Sequence, residues 1–295
     1  MENVNMANVV NGANGANGAN GAGVRTVLVT GGGTGLGKAT AVRFAREGHR
    51  VAICGRRAPV LEAAAGEIRA AGAAEVATFA CDVRYDDDVA KMAASLHGSW
   101  GPLDVLVNNA AGNFVCPAEK LSPNGWKAVI EIVLNGTFFC SSAFGRGMIE
   151  AFPSDGRRRS IVGVVADYAW GAGPGVIHSA SAKAGVLAMS RTLAVEWARF
   201  GIRSNCVSPG PFRSDGTDKN LWLDEGLEKE VLASVPMRRF TTAAEVAEAI
   251  AFLADEEKAA YVNGACLPVD GGHWLTGTNL GFLSAVERGI PLRRG

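Results

Sequence analysis

The sequence predicts an α/β protein built on a doubly wound parallel sheet of about seven strands, with helices on both faces. Two observations predict this class. Short apolar runs alternate with helical patterns from residue 25 onward, as in a parallel sheet with crossover helices. Some of these runs, such as residues 161–165, are apolar without interruption, which is typical of strands covered on both faces.

Each element follows from this alternation. Strands are predicted at residues 25–30, 50–54, 76–80, 104–108, 159–165, 202–208 and 265–268. Helices are predicted between them, at about 35–47, 59–71, 86–97, 123–150, 179–200 and 242–254. Crossovers between parallel strands are right-handed, and ligands bind beyond the carboxyl ends of the strands. We therefore expect the functional residues at that edge.

A glycine-rich loop stands between the first strand and the first helix. It reads Thr-Gly-Gly-Gly-Thr-Gly-Leu-Gly over residues 30–37. Glycine lets the backbone turn sharply, and it lets a pyrophosphate approach the amides at a helix N-terminus. The strand before it and the helix after it make this a Rossmann-type dinucleotide site rather than an ordinary loop. The predicted cofactor-binding residues here are Gly31, Gly33, Thr34, Gly35, Leu36 and Gly37.

Composition and charge exclude several classes of function. The 295 residues include 29 Lys plus Arg and 29 Asp plus Glu, so nothing indicates binding to nucleic acid or to a membrane surface. The six cysteines are dispersed, with no CxxC pair, which suits a reducing compartment; no metal site is predicted. No apolar stretch approaches the ~20 residues of a membrane helix.

The N-terminal segment differs from the rest of the chain. Residues 1–24 are rich in Asn, Gly and Ala, without an apolar face, and we predict a disordered tail. Residues 25–295 are predicted to form a single domain that contains the dinucleotide site. The tail resembles neither a signal peptide nor a transit peptide, and the C-terminus is not a peroxisomal signal, so we expect a cytoplasmic protein.

Over roughly residues 25–275 the chain resembles the short-chain dehydrogenase/reductase family. The glycine spacing TGxxxGxG, Asn-Asn-Ala-Ala-Gly at 108–112, Pro-Gly-Pro-Phe at 209–212 and Asp-Gly-Gly at 270–272 occur in the family's order. The resemblance implies further cofactor contacts at Val83, Asn109, Pro209, Gly210 and Phe212. It also implies a homotetramer, or failing that a dimer, formed through the two long helices at 123–150 and 179–200.

The second strand indicates which dinucleotide is bound. An NAD site usually has an acidic residue about 20 residues past the glycine loop, whereas here the strand ends in Cys-Gly-Arg-Arg at 54–57. A guanidinium can pair with a 2′-phosphate, so Arg56 predicts NADPH. The alternative is that both arginines are simply exposed in a loop. By resemblance, Asp82 is the acid that contacts the adenine.

The family's Tyr-x-x-x-Lys motif is altered in this chain. Its lysine corresponds to Lys183, but Ser179 stands four residues earlier, and no tyrosine has a lysine four residues on. The family's usual serine would fall at Ala166, and Tyr168 lies two positions beyond it. Tyrosine and serine have thus exchanged positions around one lysine. The alternative is that Tyr168 only packs at a strand end.

This exchange is similar to the 2,4-dienoyl-CoA reductase branch of the family. The resemblance implies that Tyr168 and Asn113 stabilise an oxyanion, that Lys183 binds the nicotinamide ribose, and that Ser179 helps to protonate Cα, giving a 3-enoyl-CoA. It places Phe114, Ser122 and Arg84 at the substrate, and we interpret His178 as pocket lining. Two alternatives stay open: a related reductase of a carbonyl or enoyl intermediate in a specialised pathway, and a non-catalytic NADP-binding member.

Overall fold

The structure is a computed structural model that describes residues 23–213 and 225–278. Within these ranges the strands are β1 (Thr26–Thr30), β2 (Arg50–Gly55), β3 (Glu75–Ala80), β4 (Val105–Asn108), β5 (Arg159–Val164), β6 (Ile202–Pro209) and β7 (Cys266–Val269). They form one sheet in the order β3-β2-β1-β4-β5-β6-β7. Every neighbouring pair is parallel. The predicted fold class is confirmed.

The helices of the described residues connect these strands. They are α1 (Gly35–Ala45), α2 (Ala58–Ala70), α3 (Asp86–Trp100), α4 (Pro123–Ile130), α5 (Gly136–Asp155), α6 (Ile177–Glu196), α7 (Glu225–Ser234) and α8 (Ala243–Ala254). The sequence pattern predicted all of these except α7. Short 3₁₀ turns at Asp167–Ala169 and His273–Thr278 follow β5 and β7.

Side chains of the sheet alternate between two apolar layers. Val27 and Val29 of β1 pack in the layer that contains α1, α2 and α8, whereas Leu28 packs with α3 and α5 on the opposite face. All three are fully buried, and burying such a side chain is worth about 1.5–3 kcal/mol. Covering both faces explains why the strands read as continuous apolar runs.

α4 and α5 belong to one long helix, because a π-turn at Glu131–Asn135 joins them without a break. This helix, Pro123–Asp155, is long and apolar enough by length and composition to cross a membrane. The expectation that no apolar stretch approaches that length is therefore wrong. The helix nevertheless packs against α3, β4 and β5, as the core helix of a sheet protein does.

The order of the strands fixes where a ligand can bind. The chain runs outward from β1 to β3 and then returns to β4 on the other side of β1. Helices leaving β1 and β4 consequently lie on opposite faces, which opens a crevice at the carboxyl ends of these two strands. Of the predicted N-terminal tail, residues 1–22 lie outside the described residues, as do residues 279–295 of the predicted domain.

Candidate active site

A cleft of about 750 Å³ lies at the carboxyl edge of the sheet. It is lined by most of the residues predicted from the sequence: Gly31, Gly33, Thr34, Gly35, Leu36, Gly37, Arg56, Asp82, Val83, Asn109, Asn113, Tyr168, Ser179, Lys183, Pro209, Gly210 and Phe212. The topology thus brings together positions that are far apart in the chain. Phe114, Ser122 and Arg84 are not part of the lining.

The glycine loop turns tightly and packs closely against the start of α1. Gly31 and Gly35 have φ of 65° and 52°, in the left-handed region that favours glycine. A Cβ on Gly37 would lie 2.6 Å from Nδ2 of Asn109 and closer still to the carbonyl oxygen of Gly31, so no other residue fits there. The first turn of α1 carries no acidic residue. Its unpaired amides and positive helix dipole end suit a phosphate.

Asn109 braces this loop from the neighbouring strand. Its Nδ2 donates to the carbonyl oxygen of Thr30 over 2.9 Å, and its backbone N–H donates to the Thr30 hydroxyl over 2.9 Å. The N–H of Ala110 donates to the same hydroxyl over 2.9 Å. The ends of β1 and β4 are therefore tied together, which holds the glycine loop at a fixed position. Asn109 lines the cleft and also supports its wall.

Arg56 and Asp82 lie at the β2–β3 end of the cleft. Arg56 is exposed there. Asp82 accepts hydrogen bonds from Arg84, with Nε to Oδ1 at 3.0 Å and Nη2 to Oδ2 at 2.6 Å. Burial raises the pKa of Asp82, but the bonds from Arg84 outweigh that effect and hold the pKa below its ordinary value. Arg84 is thus the partner of a cofactor-side carboxylate, and its contact with substrate stays a prediction.

Three polar side chains meet on the opposite side of the cleft. Tyr168 lies in the 3₁₀ turn after β5, Ser179 in the first turn of α6, and Asn113 in the segment after β4. The hydroxyl oxygens of Tyr168 and Ser179 are 3.1 Å apart, and Asn113 Nδ2 donates to the Tyr168 hydroxyl over 3.4 Å. Tyr168 and Ser179 are therefore in direct contact despite having exchanged positions in the motif.

Lys183 lies one turn beyond Ser179 on the same face of α6 and also lines the cleft. Its ammonium donates to the carbonyl oxygen of Val164 over 2.6 Å, and the residue is buried. Burial disfavours the charged form and lowers the pKa of Lys183 to about 8. The lysine therefore changes its charge close to neutral pH.

The hydroxyl of Tyr168 is held in its neutral form. Burial raises the pKa of Tyr168, and the hydrogen bonds with Ser179 and Asn113 offset that effect only in part. A neutral phenol keeps the O–H that a hydrogen-bond donor needs. The electrostatics thus favour donation of a hydrogen bond by Tyr168 over formation of a phenolate.

The remaining predicted residues have structural partners of their own. Ser122 is the N-cap of α4, with its hydroxyl accepting from the N–H of Gly125 over 3.1 Å. Phe114 packs on His178, with ring centroids 4.4 Å apart. The interpretation of His178 as pocket lining is wrong, because the side chain is fully buried beside Phe114 and outside the cleft. Substrate contact by Phe114 and Ser122 stays a prediction.

The segments at 209–212 and after β7 close the far end of the cleft. A Cβ on Gly210 would lie 2.5 Å from the Cα of Asp270, so this glycine permits the two segments to cross. Phe212 forms an isolated parallel bridge with Thr241. Pro209, Gly210 and Phe212 all line the cleft, and their contact with the cofactor stays a prediction.

Sequence reasoning missed two ionisable residues of this cleft. Asp167 precedes Tyr168, and His273 follows the Asp-Gly-Gly turn at 270–272; both line the cleft. Asp167 Oδ2 and His273 Nδ1 are 2.7 Å apart. The only signal in the sequence is that each directly follows a recognised element. Nothing in the pattern indicates that they meet.

The sheet, the glycine loop and the polar cluster together define an oxidoreductase that uses a nicotinamide dinucleotide. Comparisons with known proteins agree. The family model described as "Enoyl-(Acyl carrier protein) reductase" matches residues 31–273. The chain belongs to the short-chain dehydrogenase/reductase family.

Two curated relatives and one solved structure illustrate the similarity. A probable 2,4-dienoyl-CoA reductase [(2E)-enoyl-CoA-producing] of Bacillus subtilis is 48% identical over 85% of this chain and 97% of its own length. Probable 2,4-dienoyl-CoA reductase 3 [(3E)-enoyl-CoA-producing] of Caenorhabditis elegans is 36% identical over 87% of this chain and 83% of its own length. The crystal structure of a short chain dehydrogenase from Bacillus anthracis is 47% identical, with a TM-score of 0.73 over 84% of this chain and 96% of that one.

Proposed function

We propose that this protein is an NADPH-dependent reductase of conjugated acyl thioesters, converting 2,4-dienoyl-CoA to 3-enoyl-CoA. The observation that carries the proposal is the cluster in which the Tyr168 hydroxyl meets both the Asn113 amide and the Ser179 hydroxyl. Similarity to relatives named 2,4-dienoyl-CoA reductase supports the substrate class.

The residues of the cleft fit NADPH. The glycine loop and the first turn of α1 suit the pyrophosphate, because the unpaired amides and the positive dipole end of the helix favour an anion and the first turn carries no acidic residue. Arg56 suits the 2′-phosphate, Asp82 and Val83 suit the adenine, and Lys183 suits the nicotinamide ribose. Bound NADPH supplies the hydride.

The chemistry of a dienoyl thioester explains why hydrogen-bond donors would be grouped at this position. Hydride is added at the far end of the conjugated chain, so negative charge develops on the remote thioester oxygen. Hydrogen-bond donors must therefore be aimed at that oxygen rather than at the carbon that receives hydride. The neutral Tyr168 hydroxyl and the Asn113 amide are two such donors. A donor of this kind is typically worth about 3–4 kcal/mol of the activation barrier.

The dienolate then needs a proton at Cα. Ser179 is hydrogen-bonded to Tyr168 and lies on the same helix face as Lys183, so it can pass a proton, directly or through one water, towards the substrate. The balance is one dienoyl-CoA, one NADPH and one proton giving one 3-enoyl-CoA and one NADP⁺. Lys183, with a pKa of about 8, can resupply the proton near neutral pH.

The reaction could leave the double bond of the product at either of two positions. The name of the Bacillus subtilis relative specifies a (2E)-enoyl product, whereas that of the Caenorhabditis elegans relative specifies a (3E)-enoyl product. Protonation at Cα yields the 3-enoyl thioester, and protonation at Cγ yields the conjugated 2-enoyl thioester. We propose the former, because the polar cluster addresses the thioester end of the substrate.

The test is NADPH oxidation with a panel of thioesters. We expect turnover with 2,4-dienoyl-CoA and much slower turnover with 2-enoyl-CoA and 3-ketoacyl-CoA. Adding an enoyl-CoA hydratase, which consumes only the 2-enoyl isomer, then identifies the product. Turnover restricted to a 2-enoyl or 3-keto substrate supports the related-reductase alternative, and cofactor binding without any turnover supports a non-catalytic member.

The cofactor preference is tested separately. Wild type should have a higher kcat/KM with NADPH than with NADH, because only NADPH carries the phosphate that Arg56 can pair with. Arg56→Ala should lower that ratio by at least tenfold, with kcat/KM for NADH nearly unchanged. Equal values for the two cofactors in the wild type would refute the NADPH assignment.

A further inference from the structure

The turn after β7 contacts the turn that carries Tyr168. His273 Nδ1 lies 2.7 Å from Asp167 Oδ2, where both residues line the cleft, and the indole rings of Trp170 and Trp274 are in edge-to-face contact with their centroids 5.9 Å apart. These two contacts join the same pair of segments: Asp167 is the first residue of the functional turn Asp167–Ala169, and Trp170 directly follows it. The turn after β7 is therefore attached to the turn that carries Tyr168 at two points.

Asp167 connects this attachment to Tyr168. One carboxylate oxygen faces His273, and the other accepts the backbone N–H of Tyr168 over 2.9 Å. A shift of the carboxylate therefore moves the backbone from which the tyrosine projects. The carbonyl oxygen of Asp167 also accepts the N–H of Gly171 over 3.2 Å, which closes the turn on its other side.

His273 is itself fixed by the end of the sheet. The backbone N–H of His273 donates to the carbonyl oxygen of Asp270 over 3.1 Å. The carboxylate of Asp270 accepts two more backbone N–H groups, that of Gly272 at Oδ1 and that of Trp274 at Oδ2, each over 2.9 Å. Gly271 and Gly272 have φ of 62° and 85°, which makes the tight turn possible. These hydrogen bonds and the tight turn hold the backbone of His273, and with it the imidazole, in a fixed position.

We infer that His273 is a positioning residue for Tyr168, acting through the Asp167 carboxylate to hold the tyrosine hydroxyl at the oxyanion position. This rests on the proposed function, because the oxyanion position is defined by that reaction. Asp167 raises the pKa of His273, burial offsets part of that effect, and Asp270 adds to the rise. These two carboxylates are the charged groups that face the imidazole among the described residues. The protonated ring therefore gives the stronger pair.

The experiment compares His273→Ala with His273→Asn. An asparagine amide can donate to Asp167 from nearly the same place as Nδ1, whereas alanine cannot. We expect His273→Ala to lower kcat about tenfold, with the KM for NADPH within about twofold, because a misplaced catalytic group costs rate rather than cofactor affinity. His273→Asn should restore most of the rate. The ratio of wild-type to His273→Asn rates should fall as pH rises through the His273 pKa.

A readout that needs no substrate separates this inference from the proposed function. Hydrogen exchange followed by mass spectrometry should show faster exchange in the peptide that contains Tyr168 for His273→Ala, but not for His273→Asn. Peptides of β2 should be unchanged in both variants. His97→Asn, at an exposed histidine of α3, is the matched control and should equal the wild type in every measurement.

The outcomes are distinct. Wild-type kcat and wild-type exchange in His273→Ala would overturn the inference while leaving the proposed function intact. A slow His273→Asn variant with a normal Tyr168 peptide would also overturn it, because the imidazole would then act by another route. If the wild type shows no turnover of dienoyl-CoA, the proposed function fails, and the exchange experiment still decides whether His273 positions this turn.

Discussion

Replacing Tyr168 by phenylalanine removes one oxygen atom from the proposed oxyanion site and leaves the ring in place. The ring packs beside Gly173, since a Cβ added to that glycine would lie 3.4 Å from the ring carbon Cδ1 of Tyr168, and phenylalanine preserves that packing. The lost atom takes part in two hydrogen bonds, at 3.1 Å with Ser179 and 3.4 Å with Asn113. Tyr168→Phe is therefore a change of chemistry with little change of shape.

The expected losses of stability and of rate differ, because these hydrogen bonds have different roles in the free protein and in the transition state. In the free protein the partners face the cleft, where water can replace the hydroxyl, so the loss of stability should be about 1 kcal/mol and the fall in Tm about 2–4 °C. In the transition state the same hydroxyl faces developing charge. Losing one such donor lowers kcat by about 10²- to 10³-fold, equivalent to about 3–4 kcal/mol.

The assay measures both effects. NADPH oxidation with 2,4-dienoyl-CoA gives kcat, and a fluorescence titration gives the Kd for NADPH, which should stay within about twofold of the wild type. Tyr261→Phe is the matched control, because Tyr261 is fully exposed and does not line the cleft. Near-full activity of Tyr168→Phe on every substrate that the wild type reduces would refute the exchange of tyrosine and serine.

Three further predictions concern the same cleft, and one concerns assembly. Ser179→Ala should lower kcat less than Tyr168→Phe if the serine only orders a proton-carrying water; an equal loss would contradict this. Gly37→Ala should abolish NADPH binding in a titration while the protein stays folded by circular dichroism, because its Cβ would lie 2.6 Å from Asn109 Nδ2. The Kd for NADPH should rise as pH increases through about 8, where the buried Lys183 ammonium loses its proton, and Lys183→Met should flatten that dependence. Light scattering at micromolar concentration should give a tetramer mass, which a monomer would contradict.

The sheet could be predicted nearly to the residue because its strands are apolar on both faces. β1 and β5 were expected at 25–30 and 159–165 and occur at Thr26–Thr30 and Arg159–Val164. Covered strands produce uninterrupted apolar runs, which are a local property of the sequence. α7 was missed because Glu225–Ser234 lies in a polar stretch whose weak apolar period does not stand out.

The π-turn at Glu131–Asn135 could not be read from the sequence for a different reason. The helical pattern across residues 123–150 contains no Pro at that point, and the weak helix formers Asn135 and Gly136 do not by themselves specify an extra residue. The extra residue in the turn is fixed by packing: Leu134 fills the space above Gly185, and Gly136 lies against Val83. Both glycines leave room for a neighbour from another element. The change of helical register is thus determined by tertiary contacts.

The residues of the site also fall into two groups: those that belong to a recognisable sequence motif, and those that can be identified only from a contact in the folded structure. The glycine loop, Lys183 and the exchanged Tyr168 could be predicted because each stands at a fixed distance from a recognisable pattern. Asp167 and His273 could not, because they are 106 positions apart and each is unremarkable alone. What joins them is that β5 and β7 both end at the carboxyl edge of one parallel sheet, separated only by β6. A parallel sheet collects the ends of distant strands, so it can support a motif tyrosine with residues that no motif contains.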